Sequence, residues 1–310
     1  VRSGGPGATA VTAHCGLTLG YGDLLIWVVI ALVWLSDVVL AWAVDFSFRR
    51  LDIFALPFVI LLPSVLFYAW RGAVRPFDLT HCLARYYALG IGATILSYLA
   101  ALTPMPLADP LLARVDAALG FDWVAWNSVV TASPWLHATF AFAYESMQVQ
   151  IILCLLGFPL LGQRRRADEM VWAFALSIVP TLALSAILPA ETAWGYFGYA
   201  ASEPPKTLLQ FLALRAGGLR ALAPPDLGGI VAFPSYHAVW AILTPWLLRG
   251  TMIFLPALLL NAAMLAASIS EGGHYLVDIV GGATVAGATI AAIRLVPILT
   301  RPAGNQVDNV

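Results

Sequence analysis

An all-α membrane bundle is the fold class the sequence predicts, and three observations predict it. Hydrophobic residues fill 61% of the 310 positions and charged residues only 11%, whereas a soluble domain carries roughly 25% charged residues. Mean hydropathy is +0.85. Apolar stretches near the ~20 residues needed to cross a bilayer recur along the chain, at 24–44, 51–70, 86–104, 134–160, 170–189, 231–248, 251–270 and 274–297. Together they predict a polytopic bundle of about eight transmembrane helices with little room for a soluble domain.

Residues 1–23, rich in Gly, Ala and Thr, are read as a mobile N-terminal segment. The apolar run that follows is too long for a cleavable signal and lacks a small-residue cleavage site. The first two spans, within 24–84, carry little polar chemistry beyond Asp37 and read as accessory helices. Residues 85–297 then form a six-helix core, and 298–310 a C-terminal tail. Between the third and fourth spans, Leu111, Leu112, Val115 and Leu119 fall on one helical face with Arg114 and Asp116 elsewhere, the pattern of a helix lying in the membrane interface. Trp123, Trp126 and Trp135 follow at expected headgroup depth.

In the fourth span, Glu145 accompanies Tyr144, Gln148 and Gln150; an ionisable group in the membrane is expected to face the bundle interior. The run Gln163-Arg164-Arg165-Arg166 reads as a topology anchor. The stretch 190–230 holds paired prolines and glycines with Lys206, Arg215 and Arg220 between them, and Thr207 is placed to cap a short surface helix over 208–215. Connections of this length are usually functional. Glu191, Trp194, Tyr196 and Phe197 in it suit interfacial anchoring or contact with an acceptor or headgroup. In the last span Ala283 and Gly287 form a small-xxx-small pair suited to close helix approach.

A net charge of −1 gives no sign of a nucleic-acid partner. Distribution is more informative. With the amino terminus inside, Arg2, Arg71, Arg75, Arg85, Arg164, Arg165, Arg166, Arg249, Arg294 and Arg301 fall inside; Arg49, Arg50, Arg114, Lys206, Arg215 and Arg220 fall outside. The bias favours both termini inside, which predicts a plasma (inner) membrane protein whose late motifs face the outer side. Cys15, Cys82 and Cys154 make neither a disulfide framework nor a metal spacing.

Those motifs are Phe233-Pro234-Ser235-Tyr236-His237 and Gly273-His274-Tyr275-Leu276-Val277-Asp278. Residues four apart share a helix face, so Asp278 can hold the His274 ring in one tautomer. Pro234 suits the first turn of a helix, whose free amides, with the Ser235 hydroxyl, would attract phosphate. Gly272-Gly273 permits a second helix to begin beside the same anion. The chemistry this equips is phosphoryl transfer: His274 attacks phosphorus, Asp278 orients it, and His237 protonates the departing oxygen. Arg215, Arg220 and Lys206 would supply charge around the phosphate oxygens.

Phe-Pro-Ser-x-His followed by Gly-His-Tyr-x-x-Asp resembles the second and third signature motifs of the type 2 phosphatidic acid phosphatase superfamily. The context from Gly228 to Ala238 and from Gly272 to Gly281 is most similar to its inositol phosphorylceramide synthase-like branch. The resemblance, over about 85–297, implies a six-helix catalytic core, a phosphohistidine mechanism without metal or other cofactor, and lipid phosphate substrates. By motif match, His274 is the nucleophile, Asp278 its partner, His237 the acid and Ser235 a phosphate contact. The first motif, a lysine with an arginine-proline pair seven positions on, has no match. Lys206 and Arg215 are nine apart with Ala216 following, and Ser268 stands where an arginine is expected. The inositol-type branch tends to lack that arginine too.

Rival readings are a two-histidine, one-carboxylate metal site of His237, His274 and Asp278, a haem bundle using two of His137, His237 and His274, and a non-catalytic lipid-binding or transport protein. Isolated His14, His81 and His137 read as interfacial or hydrogen-bonded residues. The expectation is an integral membrane lipid phosphohydrolase or phosphotransferase. Whether water or a lipid alcohol, such as a ceramide or diacylglycerol hydroxyl, accepts the phosphoryl group stays open.

Overall fold

The computed structural model describes residues 20–199, 205–223, 227–296 and 299–300. The expected N-terminal segment up to residue 19 and the tail from residue 301, with Arg2, His14, Cys15 and Arg301, lie outside them. The chain is an all-α bundle. Its helices are α1 (Tyr21–Ala43), α2 (Leu51–Arg71), α3 (Val74–Ala101), α4 (Asp109–Ala118), α5 (Trp123–Ala132), α6 (Pro134–Leu160), α7 (Arg164–Ile187), α8 (Ala193–Tyr196), α9 (Lys206–Arg215), α10 (Tyr236–Leu247), α11 (Phe254–Glu271) and α12 (Leu276–Leu295). Two short strands, β1 (Ser47–Phe48) and β2 (Ala221–Leu222), pair in parallel.

A helix stands at each of the eight expected spans. Six of them, α1, α2, α6, α7, α11 and α12, are long and apolar enough to cross a bilayer, which makes this an integral membrane protein. The other two depart for physical reasons. Helix α3 starts earlier than expected and carries Asp78, His81 and Arg85 buried in its first half. Helix α10 has only 12 residues, about 18 Å at 1.5 Å per residue, because its motif segment runs non-helical up to Ser235. Pro234 therefore precedes the helix instead of opening it. The core packs α3, α7, α10 and α12 around Leu89, Met170, Trp240 and Leu243, all at most 1% exposed.

At the end of α10 far from His237, charged residues knit the helices. Arg85 is 3% exposed and donates to Asp23 on α1 and to Asp168 on α7, each at 2.8 Å. Arg164 adds contacts to Asp78 (3.5 Å) and Asp23 (3.7 Å), and His81 lies 3.8 Å from Asp23. Arg166 donates to the carbonyls of Leu247 and Arg249, closing the C-terminus of α10. The arginine run is thus joined to buried carboxylates and helix-end carbonyls. Removing one partner of a buried ion pair leaves the other charge stranded, at about 3–5 kcal/mol. Arg85→Met should accordingly lower detergent thermal stability sharply and detach α1; unchanged melting would contradict the clamp.

Three expectations about faces are corrected. In α4 the inward face is Asp109, Leu112 and Asp116, while Leu111 and Leu119 point outward: two carboxylates have partners inside, so the polar residues win that face. Trp123 is 2% exposed and donates to the Ile269 carbonyl at 3.1 Å, so it joins α5 to α11, whereas Trp135 is exposed. Glu145 lies on the outer surface of α6, about 200° round the helix from buried Ala143. The close contact of α12 is at Gly282, where a Cβ would fall 2.4 Å from the Ser235 carbonyl oxygen. Gly287 has nothing within 4 Å.

Candidate active site

His274 sits in the four-residue link between α11 and α12, and is 4% exposed. Its Nδ1 lies 3.2 Å from Asp278 Oδ2, and the same oxygen accepts the Tyr275 N–H at 2.9 Å. Asp278 therefore fixes the ring and caps α12 at once, which the i, i+4 spacing predicted in part. Its Oδ1 is buried without a hydrogen-bond partner among the described residues.

The glycines before His274 are sterically required. A Cβ on Gly272 would fall 2.7 Å from His274 Cδ2 and 3.0 Å from the Tyr144 ring. Gly273 has φ +61°, and a Cβ there would meet the Trp194 ring at 2.6 Å. The link is thus pressed between α6 and the 191–199 segment, which also donates Ala193 N–H to the Gly273 carbonyl at 2.7 Å. Tyr144 stacks on the His237 ring, centroids 3.8 Å apart and planes 17° apart. One aromatic ring thereby stands beside both histidines.

Ser235 is the N-cap of α10, accepting the Ala238 N–H at 3.3 Å, and is fully buried. Its own N–H donates to the Asp278 carbonyl at 3.1 Å. The start of α12 is closed as well: Asp116 accepts from Leu276 N–H (2.8 Å) and Val277 N–H (2.9 Å). Asp116 thus occupies the first amides of α12, and the Ser235 hydroxyl takes the Ala238 amide of α10.

Asp109 and Asp116 are the residues sequence reasoning missed. Asp109 accepts from Tyr275 Oη at 3.0 Å and from Glu191 N–H at 3.0 Å, so α4 clamps both segments that frame His274. Burial raises both carboxyls above the usual carboxylate range, and the hydrogen bonds they accept pull the other way. Their seven-residue spacing, with Leu112 between, was the available signal: all three share a helix face.

The expected cationic partners are not brought to the histidines. Arg215 donates to the carbonyls of Ala101, Thr103 and Met105, the last at 2.6 Å, closing the C-terminus of α3. Arg220 is exposed and donates to the Val44 carbonyl at 3.2 Å. Lys206 stands in the first turn of α9; Thr207 lies within that helix, whose N-cap is Pro205. Arg215→Ala should reduce stability by about 1.5–3 kcal/mol, the range for hydrogen bonds from a charged group, with KM unchanged. A raised KM at unchanged stability would restore it as a phosphate ligand.

His237 and His274 open onto one cavity of about 660 Å³ between α3, α6, α7, α9 and α10, within the size range of small-molecule sites. Its far wall is apolar, with Ile151, Phe174, Ile178 and Leu182. Its histidine end carries Tyr144, Glu191, Trp194 and Glu271. Among the described lining residues there is no Lys or Arg. Nor, among the described residues, are three or more His, Cys, Asp or Glu side chains grouped to hold a metal ion.

A family model described as the PAP2 superfamily matches residues 110–292, from the start of α4 to near the end of α12. No curated protein and no solved structure matches the chain.

Proposed function

Because the chain belongs to the PAP2 superfamily, whose members are typically phosphatases acting on lipid phosphates, we propose that it transfers a lipid phosphoryl group through a covalent phosphohistidine at His274. The observation that carries this is the buried His274–Asp278 pair beside His237 on one cavity. With Nδ1–H donated to Asp278, His274 Nε2 keeps its lone pair. Nε2 forms a bond to phosphorus as the P–O bond to the leaving alcohol breaks, and His237 gives that oxygen its proton. In the second half, water or an alcohol attacks phosphorus, returns a proton to His237, and the N–P bond breaks. No metal enters this scheme.

A second reading, transfer of a phosphorylated headgroup between lipids, is favoured by a specific observation. A phosphomonoester carries up to two negative charges, and burying them needs cations or free amides. The described cavity lining offers neither Lys nor Arg and the amides of the α12 start are taken, which leaves the α10 start and the His237 proton to meet the charge. A phosphodiester, with a single charge, fits such a site better, and a lipid alcohol such as a ceramide or diacylglycerol would be its acceptor. On the arginine bias we read the site as facing the outer side of a plasma (inner) membrane.

The test is turnover in detergent with excess chelator: phosphate release from a phosphatidate, and diacylglycerol release from diester lipids, wild type against His274→Ala. Release by wild type alone supports the metal-free histidine route, and the preferred lipid decides between the two readings. Release that needs added metal, or that survives His274→Ala, contradicts it.

A further inference from the structure

We infer that the headgroup this site accepts bears a positive charge, as an alkylammonium does; the inference rests on the phosphoryl-transfer reading and adds its substrate class. Two carboxylates line the histidine end of the cavity: Glu271 at the end of α11, and Glu191 in the segment ahead of α8. Glu271 is mostly enclosed, its side chain 13% exposed, with His137 Nε2 at 3.4 Å and the Ser270 hydroxyl at 3.3 Å. Glu191 is half-buried against Gly195, at whose α-carbon a Cβ would lie 3.2 Å from the carboxylate. Trp194 and Tyr144 supply aromatic faces in the same part of the cavity.

Carboxylates in an enclosed cavity need a counter-charge. His137 is half-exposed and answers at most one of them, and the proton on His237 is matched by the phosphodiester it serves. An inositol or glycerol headgroup would hydrogen-bond to the glutamates and leave their charge unanswered. A free phosphomonoester would add to it. An ammonium neutralises it, donates charge-assisted hydrogen bonds to the carboxylates, and lies well over Trp or Tyr rings. The zwitterion formed with the phosphodiester also balances the missing lysine and arginine on the described lining.

The experiment uses the full chain in mixed micelles. It compares phosphatidylethanolamine and phosphatidylcholine with phosphatidylinositol, phosphatidylglycerol and phosphatidate at equal mole fraction. The amine lipids should be favoured about tenfold or more in kcat/KM. Glu191→Gln and Glu271→Gln should each erode that preference through KM, and the double variant should abolish it. Equal or faster use of the anionic lipids, or a preference that survives the double variant, overturns the inference. Binding to the His274→Ala protein, read by saturation-transfer NMR with glycerophosphoethanolamine and glycerophosphoinositol, separates the two layers. Selective amine binding without turnover by the wild type would sink the chemistry and leave the headgroup assignment standing. His274-dependent turnover without amine selectivity would do the reverse.

Discussion

His274→Ala is expected to abolish turnover, by about 10⁴-fold or more, in a protein that still elutes and melts like the wild type. Loss of a nucleophile removes the pathway, not one contribution to it, and catalytic groups acting as a unit fail together. The link around His274 is held by contacts the ring does not make: Gly273 accepts from Ala193 N–H, Tyr275 donates to Asp109, and Asp116 holds the α12 start. Folding should survive the truncation. Residual activity above about 1% would mean that another group attacks phosphorus.

Asp278→Asn should be nearly as damaging, about 10²–10⁴-fold in kcat, for a reason specific to the geometry. One carboxylate oxygen now accepts from both His274 Nδ1 and Tyr275 N–H. An amide carbonyl in that oxygen's place can keep both bonds, but it carries no charge and puts an NH₂ where the buried, unpartnered Oδ1 stands. The positive charge that develops on the His274 ring as Nε2 bonds to phosphorus then has no carboxylate beside it, which raises the barrier to transfer. The α12 cap is retained in that arrangement, so stability should change little. A near-normal rate would show that the carboxylate's charge does not matter here.

Much of this was legible because membrane helices announce themselves through length and apolarity, and both histidine motifs are local. Asp278 reaches His274 within one helical turn, which a sequence displays directly. What was not legible depends on long-range pairing. Arg215 and Arg220 read as free cations, yet their guanidinium groups meet carbonyls at the ends of α3 and α1, contacts more than 100 residues away in sequence. Asp116 read as the outer face of an interfacial helix because its apolar neighbours suggested the opposite face. Only the α12 amides it accepts explain its burial. Glu145 was expected inside on grounds of charge alone, but Ala143, Ile151 and Cys154 set the inward face of α6. Ser235 was read as a phosphate contact, and its N-cap role emerges from where α10 begins. The charge clamp of Arg85 joins α1, α3 and α7, three segments whose adjacency no local pattern encodes.

The most direct test of the central claim is to trap the intermediate. Full-length protein is mixed with a turned-over lipid carrying labelled phosphorus, quenched within one turnover under alkaline conditions that preserve phosphohistidine, and mapped by peptide mass spectrometry. The account predicts the phosphoryl group, with or without its headgroup, on the peptide containing His274 and nowhere in His274→Ala. Turnover with no label on the protein, or label on His237, would contradict it.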